Sequence, residues 1–326
     1  MKTEFPLSLH SKRTKRTFLF IILVLLILYV VLPKLHVLGL NGHLVLPKHW
    51  SYIFLAFVSF FVTFLISGVS FSLLAFKRLK IRTLSLVQLA GASLNLLLPT
   101  GLGSVSINYI YLRGRQHTAV ESGLVVSANN IIGVIANLTM ILLMLLFFGL
   151  NQSESRLYLN HRNWFLGVIA VLLVLIIAGL VIYHGKGRRI KSFRQQLRQG
   201  LAIYKSRSLR LIGAYLCGIM QAGMIVLAFW LCLQAYGIHL SYATSFLIYS
   251  FSVLVGTATP TPGGLGGYEA SLTAGLVVTN VAGASLALAA VLAYRIISYW
   301  LPVTIGAVAL FIVNHKQIVR WNKQSF

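Results

Sequence analysis

Long apolar runs dominate this chain, and polar or charged residues fall mainly between them. Five runs reach the roughly 20 residues that an α-helix needs to cross a bilayer. They cover residues 50–76, 123–150, 164–183, 209–236 and 286–313. A shorter run at 18–32 follows a basic stretch and has no small-residue cleavage site after it, which indicates a retained signal-anchor helix. The pattern therefore predicts six membrane-spanning helices.

Two further apolar stretches are interrupted by glycine and proline. Residues 84–112 contain the sequence PTGLG, and residues 242–278 contain TPTPGGLGG. Each interruption leaves two pieces that are short for a spanning helix. Irregular backbone of this kind lies at membrane depth only where protein or a water-filled cavity covers it. We therefore predict two broken or re-entrant helical hairpins.

Composition and charge decide the class of protein. Of the 326 residues, 58% are hydrophobic and 10% are charged, which excludes a soluble domain of this size. There are 28 Lys and Arg residues against 4 Asp and Glu. The basic residues lie between apolar runs, where they set orientation and attract anionic lipid, so no nucleic-acid partner is expected. The chain is predicted to be an all-α polytopic membrane protein with a single transmembrane domain over residues 1–326.

The distribution of basic residues predicts the orientation. With a cytoplasmic amino terminus, 23 basic residues lie in cytoplasmic segments and 4 in outer loops. This bias indicates a multi-pass protein of the cytoplasmic (inner) membrane with both termini cytoplasmic. Nine of the 23 lie in the loop at 185–210, which we predict to form an amphipathic helix on the anionic lipid surface. Its apolar face would consist of Ile190, Phe193, Leu197 and Leu201.

The two interrupted segments also predict an internal repeat. Aligning Gly103 with Gly266 sets PTGLGSVS over PGGLGGYE, so that the halves 1–163 and 164–326 contain the same order of elements. Each half then has three spans and one hairpin, and an odd number of spans makes the second half inverted. Inverted repeats with broken helices at matching positions indicate a transporter's binding site. The other interpretation is that glycine and proline simply recur in membrane helices.

The second interrupted segment is the main candidate binding site. A helix that begins after PTPGGLGG presents backbone N–H groups and the positive end of its dipole, which favour phosphate or carboxylate. Glycines would let such a ligand approach the backbone, so an added methyl group should block binding while the fold survives. The candidate residues are Pro262, Gly263, Gly264 and Gly266, with a weaker secondary site at Asn95, Pro99, Gly101 and Gly103. The alternative is a structural kink whose donors bond to neighbouring Thr and Ser residues.

Glu269 is the acidic residue deep in an apolar region, and Arg295 is its basic counterpart. Because an isolated charge there is costly, we predict that the two pair, either as a structural pair or in binding a charged headgroup or a proton.

Other polar residues have simpler interpretations. Thr118–Glu121 matches a helix capping box. Asn129, Asn130 and Asn137 lie on one span, where they either bond between helices or line a substrate path, and the two cysteines are interpreted as packing residues.

The motifs PTPGGLGGYEASLTAGL and AYRIISYWLPVTIGA resemble the lysylphosphatidylglycerol synthase transmembrane-region family. The earlier NLLLPTGLGSVSINYIYLRG resembles the family's first motif, although it lacks the basic residue that often follows the glycines there. The resemblance implies a flippase-like protein that moves lipid between leaflets. It assigns headgroup binding to Pro262, Gly263, Gly264, Gly266, Glu269 and Arg295.

The combined expectation is a transporter and not an enzyme, since the chain has no GxSxG, HExxH or Walker motif and few acidic residues. No cofactor or metal site is expected. The predicted substrate is an anionic phospholipid or a lipid-linked intermediate of the polyprenyl-phosphate type. The alternative is a non-transporting accessory subunit that presents lipid to a separate synthase or glycosyltransferase.

Overall fold

The computed structural model describes residues 45–97, 103–150, 204 and 207–315. Internal contacts divide the chain into two units, residues 1–46 and 47–326. The described part of the second unit is helical and contains no strand. Its helices are α1 (Trp50–Leu74), α2 (Ile81–Leu97), α3 (Gly103–Gly114), α4 (Ala119–Leu150), α5 (Ser208–Ala235), α6 (Tyr242–Ala258), α7 (Gly267–Val278), α8 (Ala284–Arg295) and α9 (Leu301–His315).

Two short irregular turns interrupt the helices of the second half within residues 207–315. A 3₁₀ turn at Pro262–Gly264 precedes α7. A π-helical turn at Ile296–Trp300 joins α8 to α9, so that one helix continues over Ala284–His315. Single π-turns inside α-helices often occur at functional sites.

Four of the predicted spans are confirmed within the described residues. The helices Trp50–Leu74, Ala119–Leu146, Ser208–Ala235 and Ala284–His315 are long and apolar enough to cross a membrane. The predicted spans at 18–32 and 164–183 lie outside the described residues. The apolar face of the basic loop, comprising Ile190, Phe193, Leu197 and Leu201, lies outside them as well. The four observed spans establish an α-helical multi-pass membrane protein.

The two interrupted segments form pairs of short helices, as their sequences predict. Helices α2 and α6 each have 17 residues, and α3 and α7 each have 12. At 1.5 Å per residue these helices are about 25 Å and about 18 Å long. Both lengths are below the hydrocarbon thickness of roughly 30 Å. None of the four helices spans a bilayer comfortably alone.

Small residues let the helices approach one another closely. An added methyl group at Gly306 in α9 would lie 2.5 Å from the Leu89 carbonyl oxygen of α2. Nearby, the Ser93 hydroxyl of α2 donates a hydrogen bond to the Val303 carbonyl of α9 at 3.1 Å. Close contact of small residues, supplemented by hydrogen bonds, is the usual way in which membrane helices associate.

Polar residues outside the interrupted segments mostly have the predicted structural roles. Glu121 and Thr118 form the reciprocal capping box, with bonds of 2.7 and 3.2 Å to each other's backbone N–H groups. The Ser70 hydroxyl of α1 donates to the Asn129 amide oxygen of α4 at 2.9 Å, which confirms an interhelical bond for this asparagine. Asn130 and Asn137 make no such bond to the described residues. Cys217 and Cys232 are both free thiols.

Candidate functional site

The connection between α6 and α7 depends on left-handed backbone that only glycine adopts readily. Gly263, Gly264 and Gly266 have φ values of 61°, 66° and 90°. The Thr261 hydroxyl closes the turn by donating to the Leu265 carbonyl at 2.8 Å. The turn thereby separates α6, which ends at Ala258, from α7, which starts at Gly267 and packs against α6.

At two of these glycines, a methyl group added to the α-carbon would collide with neighbouring protein atoms. A methyl group at Gly263 would collide with the ring of Tyr299. One at Gly264 would lie 2.6 Å from the backbone oxygen of Gly256 in α6. A methyl group at Gly266 would meet no atom within 4 Å. The glycines at 263 and 264 therefore have a packing role that their sequence pattern did not reveal. The Gly264 N–H donates to the Thr261 carbonyl at 3.0 Å, so the turn itself uses this donor, and lipid binding by the Gly263 N–H stays a prediction.

Glu269 lies in the first turn of α7 and is buried, with 4% of its surface exposed. Its Oε2 accepts a hydrogen bond from the Gly266 N–H at 2.6 Å. A carboxylate at this position satisfies one of the unpaired donors at a helix start and interacts favourably with the helix dipole. The protein's own carboxylate therefore takes one of the N–H groups that the sequence assigned to a ligand.

Arg295, at the end of α8, is also buried and pairs with Glu269. Its Nε donates to Glu269 Oε1 at 3.0 Å, which confirms the predicted pair. Its Nη2 donates to the Gly263 carbonyl at 3.1 Å. Arginine thus links the glycine turn, the start of α7 and the end of α8 through hydrogen bonds with fixed directions.

Two tyrosine rings hold the guanidinium group. The central carbon of the Arg295 guanidinium lies 4.7 Å from the ring centre of Tyr268 and 4.8 Å from that of Tyr299. Both distances are within the range of cation–π attraction. Tyr299 lies in the π-helical turn that follows Arg295, and its hydroxyl is 3.5 Å from the Pro262 carbonyl oxygen. These contacts restrict the arginine to one orientation.

A cavity of about 650 Å³ adjoins this cluster, and both interrupted segments contribute to its wall. Asn95 comes from the first segment, and Gly263 and Gly264 come from the second. The Asn95 Oδ1 atom makes no hydrogen bond within the described part of the chain. Arg295 lines the cavity, whereas Glu269 is not among the described lining residues. The other polar lining residues are Tyr249, Thr257, Thr259, Thr261, Tyr268, Tyr294 and Ser298.

The structure thus brings together most of the residues singled out from the sequence. Gly103 begins α3, where an added methyl group would collide with the Leu94 backbone of α2, so its role in the structure is close packing. Pro99 and Gly101 lie outside the described residues. The sequence analysis missed Tyr268 and Tyr299, although Tyr268 adjoins Glu269 and Tyr299 follows Arg295 by four residues, the spacing of neighbours on a helix face.

Comparison with known proteins supports the membrane assignment. The family model described as "Lysylphosphatidylglycerol synthase TM region" matches residues 16–306. A "UPF0104 membrane protein" of Methanothermobacter thermautotrophicus is 32% identical over 94 residues, which are 29% of this chain. The match covers 28% of that protein's length.

Proposed function

We propose a lipid-moving function for this chain, which belongs to the lysylphosphatidylglycerol synthase transmembrane-region family. The substrate is an anionic phospholipid or a lipid-linked intermediate of the polyprenyl-phosphate type, moved across the cytoplasmic membrane without chemical change. The observation that carries this proposal is the buried Arg295 on the wall of an open cavity between apolar helices. Ionisable groups at such positions mark substrate pathways, because burying them is otherwise costly.

The lengths of the helices support an internal repeat, and we propose that its second half is inverted relative to the first. The short helices α2 and α6 have equal lengths, as do α3 and α7. The long helix α4 and the continuous helix Ala284–His315 both have 32 residues. We therefore match α1–α4 with α5–α9. In such an arrangement two related halves rock against each other around a shared site and expose it to each side in turn.

The inverted repeat requires the termini of the two halves to lie on opposite sides of the membrane. Single cysteines at Asn160 and Asn322, in a background with Cys217 and Cys232 replaced by alanine, are expected to react with a membrane-impermeant thiol reagent from opposite sides. Asn160 should react from outside intact cells, and Asn322 only after the membrane is opened. Reaction of both cysteines from the same side would contradict the topology and the inverted repeat.

Reconstitution into liposomes tests the transport function directly. Vesicles carrying the purified chain and a trace of phosphatidylglycerol with a fluorescent acyl chain are treated with an impermeant quencher. The quencher first removes the fluorescence of the lipid in the outer leaflet. We expect the quenched fraction then to rise towards all of the labelled lipid, because the chain brings inner-leaflet lipid to the outer leaflet. A fluorescent hexosyl polyprenyl phosphate is tested in parallel, and protein-free vesicles are the control.

Failure of the protein to move either lipid faster than protein-free vesicles would contradict transport by this chain alone. An accessory subunit would give that result, because it presents lipid to a separate enzyme and needs that enzyme to act. Retention of lipid by the purified chain without movement would then favour the accessory role.

A further inference from the structure

We propose that His117 is a pH-sensitive latch between the two connections at one end of the first interrupted segment. These connections are residues 75–80, between α1 and α2, and residues 115–118, between α3 and α4. Protonation of the imidazole ring releases them from each other. His117 is not among the described residues that line the cavity, so the latch does not depend on the proposed transport function.

The turn that ends α3 places His117 inside the protein. Gln116 has a left-handed backbone, with φ at 62°. The Gln116 N–H donates to the Arg113 carbonyl and the His117 N–H donates to the Leu112 carbonyl, both at 3.2 Å. These two bonds close a helix end around one left-handed residue. The chain leaves the turn with His117 buried, since only 1% of its surface is exposed.

One ring nitrogen of His117 accepts a hydrogen bond from the other connection. The Lys77 backbone N–H donates to Nε2 at 3.3 Å. A ring nitrogen that accepts carries no proton, so the ring is neutral and its proton is on Nδ1. The Nδ1 atom is buried and makes no hydrogen bond within the described part of the chain. The Lys77 ammonium also donates to the Gln116 carbonyl, which adds a second bond between the connections.

Protonation removes the acceptor on which this latch depends. An imidazolium ring donates from both nitrogens, so Nε2 would point a proton at the N–H proton of Lys77. The charged ring would also be buried beside cations, because the Lys77 ammonium is nearby and the Arg113 guanidinium donates to the His117 carbonyl at 3.0 Å. A buried charge without acceptors for its protons is costly, so the protonated ring moves to where water reaches it.

The groups around the ring oppose its protonation on balance. Burial lowers the pKa of His117 below its ordinary value, and the Lys77 ammonium lowers it further. The Glu121 carboxylate of α4 and two backbone carbonyls of the turn act in the opposite direction, but burial has the largest effect. The Arg115 guanidinium lies over the Tyr111 ring, 5.4 Å from its centre. Because the folded protein has the lower pKa, the stability from the closed latch is complete above about pH 6.5 and is lost as the pH falls below it.

The latch controls how the first interrupted segment is attached to its neighbours. Residues 75–80 lead directly into α2, whose other end contributes Asn95 to the cavity wall. The Phe76 ring in this connection stacks on the Tyr204 ring, with 5.6 Å between their centres. The Arg207 guanidinium, next to the start of α5, lies 5.2 Å from the centre of the same Phe76 ring. A closed latch therefore ties α3 to α2 and to the start of α5, and an open latch removes this polar tie.

Hydrogen exchange at the Lys77 amide tests the latch on the purified full chain. Exchange is measured by mass spectrometry resolved to single residues and is divided by the intrinsic rate at each pH. The open latch takes up a proton with the ordinary imidazole pKa of about 6.5, so its population should rise about tenfold from about pH 7.5 to about pH 5.5. We expect the corrected exchange of the Lys77 amide to become faster by the same factor.

Two substitutions of His117 separate its acceptor from its titration. His117→Gln supplies a side-chain oxygen that accepts from the Lys77 N–H and does not titrate, so the amide should be equally protected at both pH values. His117→Leu supplies no acceptor, so the amide should exchange fast at both. His239→Gln removes an exposed histidine that bonds to Gln234, and this control should keep the wild-type response.

Several results of these exchange measurements would overturn the proposal. One is corrected exchange of the wild-type Lys77 amide that does not change with pH. Another is a response of His117→Gln as large as that of the wild type, because a different group would then be titrating. A third is wild-type protection in His117→Leu at about pH 7.5. If His117→Leu does not fold, the comparison of the wild type with His117→Gln decides.

Nitrogen NMR of histidine-labelled protein tests the protonation state directly. The His117 signals are identified by their loss in His117→Gln. We expect a protonated Nδ1 and an unprotonated Nε2 at about pH 7.5, because Nε2 accepts from the Lys77 N–H. A proton on Nε2 at this pH would contradict the latch.

Discussion

Arg295→Gln is expected to destabilise the protein by about 3–5 kcal/mol, because it removes one partner of a buried charge pair. Arg295 supplies the cation that neutralises Glu269, a bond to the Gly263 carbonyl and the contacts with two tyrosine rings. The loss should appear as a lower midpoint of thermal unfolding and a lower yield of monodisperse protein in size-exclusion chromatography. Arg82→Gln is the control, since Arg82 is exposed and surface changes usually shift stability by less than about 0.5 kcal/mol.

A second variant separates stability from lipid binding. Glu269→Gln combined with Arg295→Gln removes both charges, so it should unfold at a higher temperature than Arg295→Gln alone. It should nevertheless move lipid slowly, because the cavity has lost its cation. If Arg295→Gln alone is as stable as Arg82→Gln, the pairing is not what allows these charges to be buried. Wild-type lipid movement by the double variant would rule out phosphate binding by Arg295.

Gly264→Ala is expected to lower the free energy of unfolding by about 2–5 kcal/mol. The left-handed conformation at this position, with φ at 66°, costs a non-glycine residue about 1–2 kcal/mol. The added methyl group lies 2.6 Å from the Gly256 backbone oxygen, and overpacking of this kind costs about 1–3 kcal/mol more. The structure thus changes the expectation from sequence, which was a normal yield of folded protein with weakened binding.

Gly266→Ala gives the matched comparison, because its φ is also positive but the added methyl group meets no atom within 4 Å. With φ at 90° and ψ at −59° the residue lies outside the left-handed helical region, and we expect only the conformational cost of about 1–3 kcal/mol there. Gly133→Ala in α4 is the control: the methyl group has open space and the backbone is helical, so a neutral or slightly stabilising change is expected. Equal thermal stability of Gly264→Ala and Gly133→Ala would show that α6 and the glycine turn do not pack as described.

The sequence was sufficient to predict features that depend on residues close together along the chain or on one large energetic cost, such as that of burying a charge. Apolar length located the four described spans, because about 30 Å of hydrocarbon requires a continuous apolar helix. The capping box at Thr118 and Glu121 follows from local hydrogen-bond geometry, and the breaks follow from the conformations of glycine and proline. The Glu269–Arg295 pair was predictable at a separation of 26 residues because a lone charge in that environment is so costly.

Only the tertiary structure decided how these features combine. The sequence does not state that Asn95 lines the same cavity as Arg295, that two tyrosine rings contact the guanidinium, or that Glu269 is not among the described residues that line this cavity. Nor does it show that Gly263 and Gly264 are needed for contact with Tyr299 and Gly256. Association of apolar helices depends on the close fit of many small contacts, and no single residue type specifies it. Local conformation and the cost of burying charge could therefore be inferred from the residues themselves, whereas the composition of the cavity wall required the packed helices.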